Sequence, residues 1–412
     1  MYVFLRSGEI ITQRSGIVQV LSHFPFAVLS VFMKIENAPF LSLPFYTALT
    51  GSVFYILTKN MYGSKKRAFC LSLILIFSTM LLPYSVFGME HIFTFTALAA
   101  FTSLFLYSKN ENKYLLLIGG IFAGMATQTK AYGVLFLIPL VVYLFLIVYN
   151  RREQIVFRDY IRKGILFFIP IIFFIALGLW YNLAQFGSIF STNYSLDQEF
   201  QSVSLWIGLY GILFSIGKGF FIYNPAAIIS VFCFKDFLKN FRNEFIFIAI
   251  FLLVFVPFNA GFSFWTDEAW GQRKLLVLVP FVILPLGCYF KNINNKKLIL
   301  LASAVMIGFY FNFTGTIYDY GKQITLFRKV NLDSLENIRY VPELNHISIN
   351  SLFLRSYINK IYYGDSLEFS YEEESWMRNL DGKENIILSG GSVSLGDYDN
   401  PDIFLLKDLS DN

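Results

Sequence analysis

A few charged side chains stand out by type and setting as groups able to do chemistry: Glu90, Lys130, Lys218, Asp267, Glu268, Arg273 and Lys274. The densest group is Phe264-Trp265-Thr266-Asp267-Glu268-Ala269-Trp270-Gly271-Gln272-Arg273-Lys274, between two apolar runs. An arginine fork at the edge of a low-dielectric region suits phosphate oxygens. The same composition also suits an interfacial aromatic belt with snorkelling bases, which alone accounts for Trp265 and Trp270. Lys218 is flanked by glycines in Gly217-Lys218-Gly219 and heads an apolar run. A helix N-terminus there would add partial positive charge for a lipid phosphate; a lysine anchoring a helix end is the plainer alternative. Lys130 lies in Thr127-Gln128-Thr129-Lys130, between two apolar runs, and Glu90 and His91 open another. An acid at a helix start commonly serves only the helix dipole, so catalysis by Glu90 is the second reading.

The elements that position these groups are helices made for lipid. Hydrophobic residues make up 56% of the chain and charged ones 15%, against roughly 25% charged in soluble domains. A span needs about 20 apolar residues, and ten stretches qualify: 40–58, 68–85, 89–107, 114–129, 132–149, 164–183, 219–234, 245–261, 275–290 and 298–313. The stretch 16–33 is apolar enough for an extra helix but holds Gln19, His23 and Pro25, while 205–217 is shorter and fits an interfacial or re-entrant helix. The expected fold is therefore an all-α polytopic membrane protein of about ten transmembrane helices. Its expected parts are an external juxtamembrane segment 1–38, a helical membrane domain 39–314 and an external tail 315–412. The tail, rich in acids such as Glu372, Glu373, Asp397 and Asp402, reads as a small α+β or β-rich domain, with strand-like runs at 385–389 and 402–406.

Loop charges orient the bundle. Lys59, Lys65, Lys66 and Arg67, then Arg151 to Lys163, Lys235 to Arg242, and Lys291 to Lys297, alternate with loops poor in cations. The positive-inside rule puts the first set in the cytoplasm, and with it the seven groups above on the external side. Net charge is +5, with the bases in short loops, so nucleic acid is not an expected partner. Cys70, Cys233 and Cys288 show no metal-type spacing. Mid-span ionisable residues are nearly absent and no convincing internal repeat is found, which weighs against a transporter.

Four stretches carry a likeness to a known family. They are 115–139 (LLLIGGIFAGMATQTKAYGVLFLIP), 180–194 (WYNLAQFGSIFSTNY), 217–225 (GKGFFIYNP) and 270–286 (WGQRKLLVLVPFVILPL). In order and spacing they resemble the GT-C superfamily of integral-membrane glycosyltransferases, in the branch of protein O-mannosyltransferases and lipid A aminoarabinose transferases. The resemblance implies sugar transfer from a polyprenyl-phosphate carrier, reached through membrane lipid, to a glycan, lipid or protein acceptor at the external face. It implies phosphate binding by Lys218 and Arg273, with Lys130 and Lys274 in support. Asp267 or Glu268, or Glu90 in their place, would act as catalytic carboxylates or contact a divalent metal, whose requirement is unknown.

One departure stands against the family pattern. Its members begin with a span and an external loop bearing an acid, whereas Arg6-Ser7-Gly8-Glu9 resembles the end of that loop. N-terminal truncation is the economical expectation. The alternatives are an inactive relative, or Asp267, Glu268 or Glu90 standing in for the missing acid. The rival function is a polysaccharide polymerase, ligase or flippase-like envelope protein. A polymerase should carry a long external loop rich in arginine and histidine, and 185–204 has neither.

Overall fold

The computed structural model describes residues 5–6, 9–10, 16–34, 41–86, 90–149, 157–189, 204–261, 269–317, 347, 351, 369–370 and 392–393. Helices dominate them, in the order α1 (Ile17–Met33), α2 (Ser42–Tyr62), α3 (Lys65–Phe77), α4 (Leu81–Tyr84), α5 (His91–Asn110), α6 (Lys113–Thr127), α7 (Leu137–Tyr149) and α8 (Phe157–Phe186). There follow α9 (Leu205–Phe214), α10 (Phe220–Tyr223), α11 (Pro225–Phe232), α12 (Phe234–Asn240), α13 (Arg242–Ala260), α14 (Val279–Ile283) and α15 (Asn295–Ile317). Beyond the helices are two antiparallel pairs of two-residue strands, with Arg6 opposite Glu9 and Phe369 opposite Val393. The expected strands at 385–389 and 402–406 lie outside the described residues.

Each of the ten apolar stretches is helical, but not each is one clean span. Among the described residues, six segments are long and apolar enough to cross a membrane: His91–Asn110, Tyr132–Tyr149, Ile161–Ala184, Arg242–Ala260, Arg273–Lys291 and Asn295–Ile317. Helix α2 has the length but is studded with Ser42, Thr47, Thr50, Ser52 and Thr58, and α6 has 15 residues. The stretch 219–234 is broken at Asn224, whose φ of −131° and ψ of 66° are not helical. Pro225 imposes that break, because its ring crowds the preceding residue out of the α region. In 275–290 the residues before Pro280 and Pro285 stay in the α region, but neither proline has an N–H to give the helix ladder, and the run goes as 3₁₀ turn, α14 and 3₁₀ turn. The ambiguous runs 16–33 and 205–217 form the shorter apolar helices α1 and α9.

Packing makes α5 the central helix, buried along nearly its whole length. Phe101 on α5 stacks on Phe247 of α13 at 4.3 Å and meets Phe281 of α14 edge-on at 5.5 Å. Phe136, Phe251 and Phe255 continue this aromatic core. By contrast, α8 turns Ile165, Ile169, Ile172 and Phe173 outward. Such a continuous apolar face belongs in lipid, where hydrophobicity no longer drives helices together and close fit must do so.

Close fit is visible where α6 crosses α8. A Cβ added at Gly120 would run into the Phe167 carbonyl oxygen, and one at Gly124 would stand 3.0 Å from the Pro170 oxygen. This Gly-x-x-x-Gly spacing lets the two backbones touch. Gly120→Leu is therefore expected to cost about 1–3 kcal/mol by overpacking, read as a lower melting temperature of the detergent-purified protein. Unchanged melting would show that the crossing is not a tight one.

Candidate functional site

Helices α5 and α6 run antiparallel, so the start of one and the end of the other share one end of the bundle. Glu90 immediately precedes α5, and Lys130 follows α6 by three residues. The 3₁₀ turn Arg273–Leu278 packs against α5 at the same end. Lys109 in the last turn of α5 and Lys113 at the start of α6 lie at the other. Three separate elements thus bring three charges together. The Lys130 ammonium lies 3.3 Å from Oε1 of Glu90, and Nε of Arg273 lies 3.9 Å from the same oxygen. The Glu90 side chain is 7% exposed and that of Arg273 42%, so the carboxylate is sunk while the guanidinium reaches outward.

Local structure explains how Lys130 is delivered. At the end of α6 the hydroxyls of Thr127 and Thr129 donate back to the carbonyls of Gly124 and Ala126, which satisfies carbonyls the ending helix leaves open. The chain then extends at Lys130, with φ −142° and ψ 151°, before entering the 3₁₀ turn Ala131–Phe136. The Thr-Gln-Thr-Lys step is a helix stop that points a cation across to α5.

Arg273 is placed by the buried segment ahead of it. The Trp270 indole donates to Oδ1 of Asn312 at 3.4 Å and meets Tyr223 edge-on at 5.5 Å. Its carbonyl accepts the Tyr84 hydroxyl at 2.8 Å. Asn312 in turn donates to the Tyr223 carbonyl at 2.7 Å, and Asn224 accepts the Met80 amide at 3.0 Å. Next comes Gly271, with φ +52°, where a Cβ would stand 2.8 Å from Met80 Sδ and 2.9 Å from Tyr223 Cγ. The left-handed turn costs other residues roughly 1–2 kcal/mol, and the contacts leave no room besides. Gly271→Ala is expected to displace Arg273 and cut any activity that depends on it at least tenfold, more than it lowers stability. Full activity would separate this turn from the site.

The remaining candidates fall differently. Lys218 is buried and donates its ammonium proton to the carbonyl of Ala269, so it ties down the segment leading to Arg273. The helix it was expected to head, α10, is four residues long, too short for an appreciable end charge. Its surroundings are turn bonds: the Ser215 hydroxyl accepts the Lys218 amide at 3.2 Å, and the Tyr223 hydroxyl donates to Gly217 at 2.7 Å. Lys274 follows Arg273 on the same 3₁₀ turn, where successive side chains diverge by about 120°. Asp267 and Glu268 lie outside the described residues. Among the described residues no three or more His, Cys, Asp or Glu side chains gather as a metal would need.

Its place at a helix start favours a dipole role for Glu90, yet its side chain makes no cap hydrogen bond and its carboxylate faces two cations. Asn312 and Tyr84 are not among the candidates the sequence offers, and Asn224 enters only as part of the 217–225 stretch. Their only signal was polarity within apolar runs.

Comparison with known proteins agrees in outline. The model of the family described as dolichyl-phosphate-mannose-protein mannosyltransferase matches residues 11–195, less than half of the chain. The match spans Glu90, Lys130 and two of the four stretches resembling GT-C enzymes, and stops short of Lys218, Arg273 and Lys274. No curated protein matches the chain.

Proposed function

We propose that this chain is a multi-pass membrane glycosyltransferase that moves a sugar from a polyprenyl-phosphate carrier to a hydroxyl-bearing acceptor. The observation that carries the reading is the sunken Glu90 carboxylate held between Lys130 and Arg273 at one end of a lipid-facing bundle. The family match over residues 11–195 supports the reaction class; it makes a dolichyl-type phosphate-mannose donor and a protein acceptor the first pair to test. All ten apolar stretches would cross or dip into the bilayer, with this end external and the tail 315–412 beside it, as the basic loops of the opposite end favour.

In the reaction an acceptor oxygen attacks the anomeric carbon of the sugar. The carbon–oxygen bond to the carrier phosphate breaks, and the electron pair leaves on the phosphate oxygen. Negative charge grows there, and fixed cations in a poorly hydrated site stabilise it best. Arg273 supplies a planar fork of donors and Lys130 a point charge. Glu90 holds both cations in place between turnovers. The acceptor's proton passes to a carboxylate, for which Asp267 and Glu268 are the candidates beside Arg273 in the chain and Glu90 the alternative. Lys218 serves the site by anchoring Ala269.

The direct test is transfer from a panel of radiolabelled polyprenyl-phosphate sugars in membranes carrying the protein. Label appearing in acceptor in proportion to the protein, with polyprenyl phosphate released, is the expected result. No transfer from any donor, with a known transferase active in the same membranes, would sink the reading.

A further inference from the structure

Next to the charged cluster lies a second polar group that the scheme above does not use. His91, the first residue of α5, is wholly buried, and neither ring nitrogen meets a hydrogen-bond partner among the described residues. A neutral imidazole carries one donor and one acceptor fixed in a plane. Leaving both unmet inside a protein is costly and calls for an explanation.

The neighbours indicate what would meet them. The His23 ring stands edge-on to His91 at 6.1 Å, and the Tyr46 ring lies 5.7 Å away. Nδ1 of His23 is 2.6 Å from the Ser42 hydroxyl, and the Tyr46 hydroxyl donates to the Ser22 carbonyl at 3.4 Å. Gln19, on the face of α1 shared with Ser22 and His23, is buried too. Imidazole, amide, hydroxyl and phenol groups are gathered here, with aromatic faces beside them. The nearby carboxylate, Glu90, is taken up by Lys130 and Arg273.

We infer that the buried polar cluster between α1, α2 and α5, centred on His91, opens to receive the sugar ring of the donor. Planar groups of mixed donor and acceptor character match vicinal hydroxyls, which both give and take hydrogen bonds, and aromatic faces suit the C–H face of a pyranose. A phosphate fits poorly, since the cations stand one residue away at Glu90. That adjacency is what a glycosyl phosphate needs, because its ring and its phosphorus are joined through a single oxygen. Helix α1 covers this cluster, through His23 and Ser22. Its start rests on the turn after α6 through two long backbone bonds, Gly16 to Thr129 and Val18 to Gln128, both 3.3 Å. Its far face exposes Leu21, Phe24, Leu29 and Phe32. Entry of the ring requires α1 to shift on that footing.

This inference rests on the donor class proposed above, and the test separates the two. The full chain in nanodiscs is titrated with dolichyl phosphate and with its mannosyl, glucosyl and aminoarabinosyl forms. In the wild type the sugar that is transferred should bind more tightly than the bare lipid phosphate. His91→Phe should bind dolichyl phosphate within about twofold of wild type yet lose at least tenfold in affinity for the sugar-bearing lipid. His91→Gln, which keeps a donor and an acceptor, should recover part of that loss and serves if the phenylalanine variant fails to fold. Arg273→Ala should weaken both lipids together. Wild-type discrimination that both His91 variants retain would overturn the sugar subsite and leave the donor class standing. A wild type that binds neither lipid would overturn both.

Discussion

Arg273→Ala is expected to reduce sugar transfer by a factor of about 10²–10³, the loss typical of removing one preorganised donor from a developing oxyanion. The reason lies in the geometry. Arg273 is held on one side by the buried Trp270 segment and faces the Glu90 carboxylate at 3.9 Å on the other. With a side chain 42% exposed, it contributes little to stability as an ion pair, so the variant should fold normally. Because Arg273 holds the lipid phosphate before reaction and more strongly as it leaves, kcat should fall and kcat/KM should fall further. Arg273→Lys keeps the charge without the planar fork and should lie between. Initial rates with a labelled polyprenyl-phosphate sugar decide the matter. A variant that loses only donor affinity would assign Arg273 to ground-state binding and not to the departing phosphate.

The second large effect concerns Glu90. Glu90→Gln preserves shape but leaves Lys130, with a side chain 15% exposed, without the carboxylate that faces it. Breaking one side of a largely buried pair is costly. Discounted for the partial exposure of both cations, the loss should be about 1–3 kcal/mol, with transfer reduced at least a hundredfold because Arg273 and Lys130 lose their common fixed point. Adding Lys130→Met should restore most of the lost stability and none of the activity. That opposite response is the useful signature, since residues sharing one ion pair are expected to couple. Melting temperature and transfer rate measured on the two single variants and the double variant give the coupling directly. If the three melting shifts simply add, Glu90 and Lys130 do not act as a pair.

Both predictions rely on a charged site at the margin of an apolar bundle, and the bundle was legible in the chain itself. Stretches of apolar residues predict helices because lipid offers the backbone no hydrogen bonds. The structure has helix in all ten. What the apolar count missed were the interruptions. Pro225, Pro280 and Pro285 act within a few residues and could have been weighed from the chain. The break between α3 and α4 at Ser78–Met80 lies one turn ahead of Pro83, which has no N–H for the Thr79 carbonyl; what the chain does not mark is that the Ser78 hydroxyl there donates to the Val305 carbonyl of α15, a partner more than two hundred residues away.

The same division runs through the site. The chain alone determined that this protein lives in a bilayer, that a basic residue stands between the apolar runs of α6 and α7 and that an arginine follows a glycine two residues before it. Those properties are local, written in composition and short spacing. Only the tertiary structure decided that Glu90 meets Lys130 and Arg273, that Lys218 turns inward to Ala269, and that His91 sits buried among His23 and Tyr46. Each of these depends on which helix ends lie side by side and how far each chain end turns. Charges 40 and 183 positions from Glu90 in the chain are neighbours because α5 and α6 pack antiparallel and because Gly271 alone allows the turn that brings Arg273 back to them.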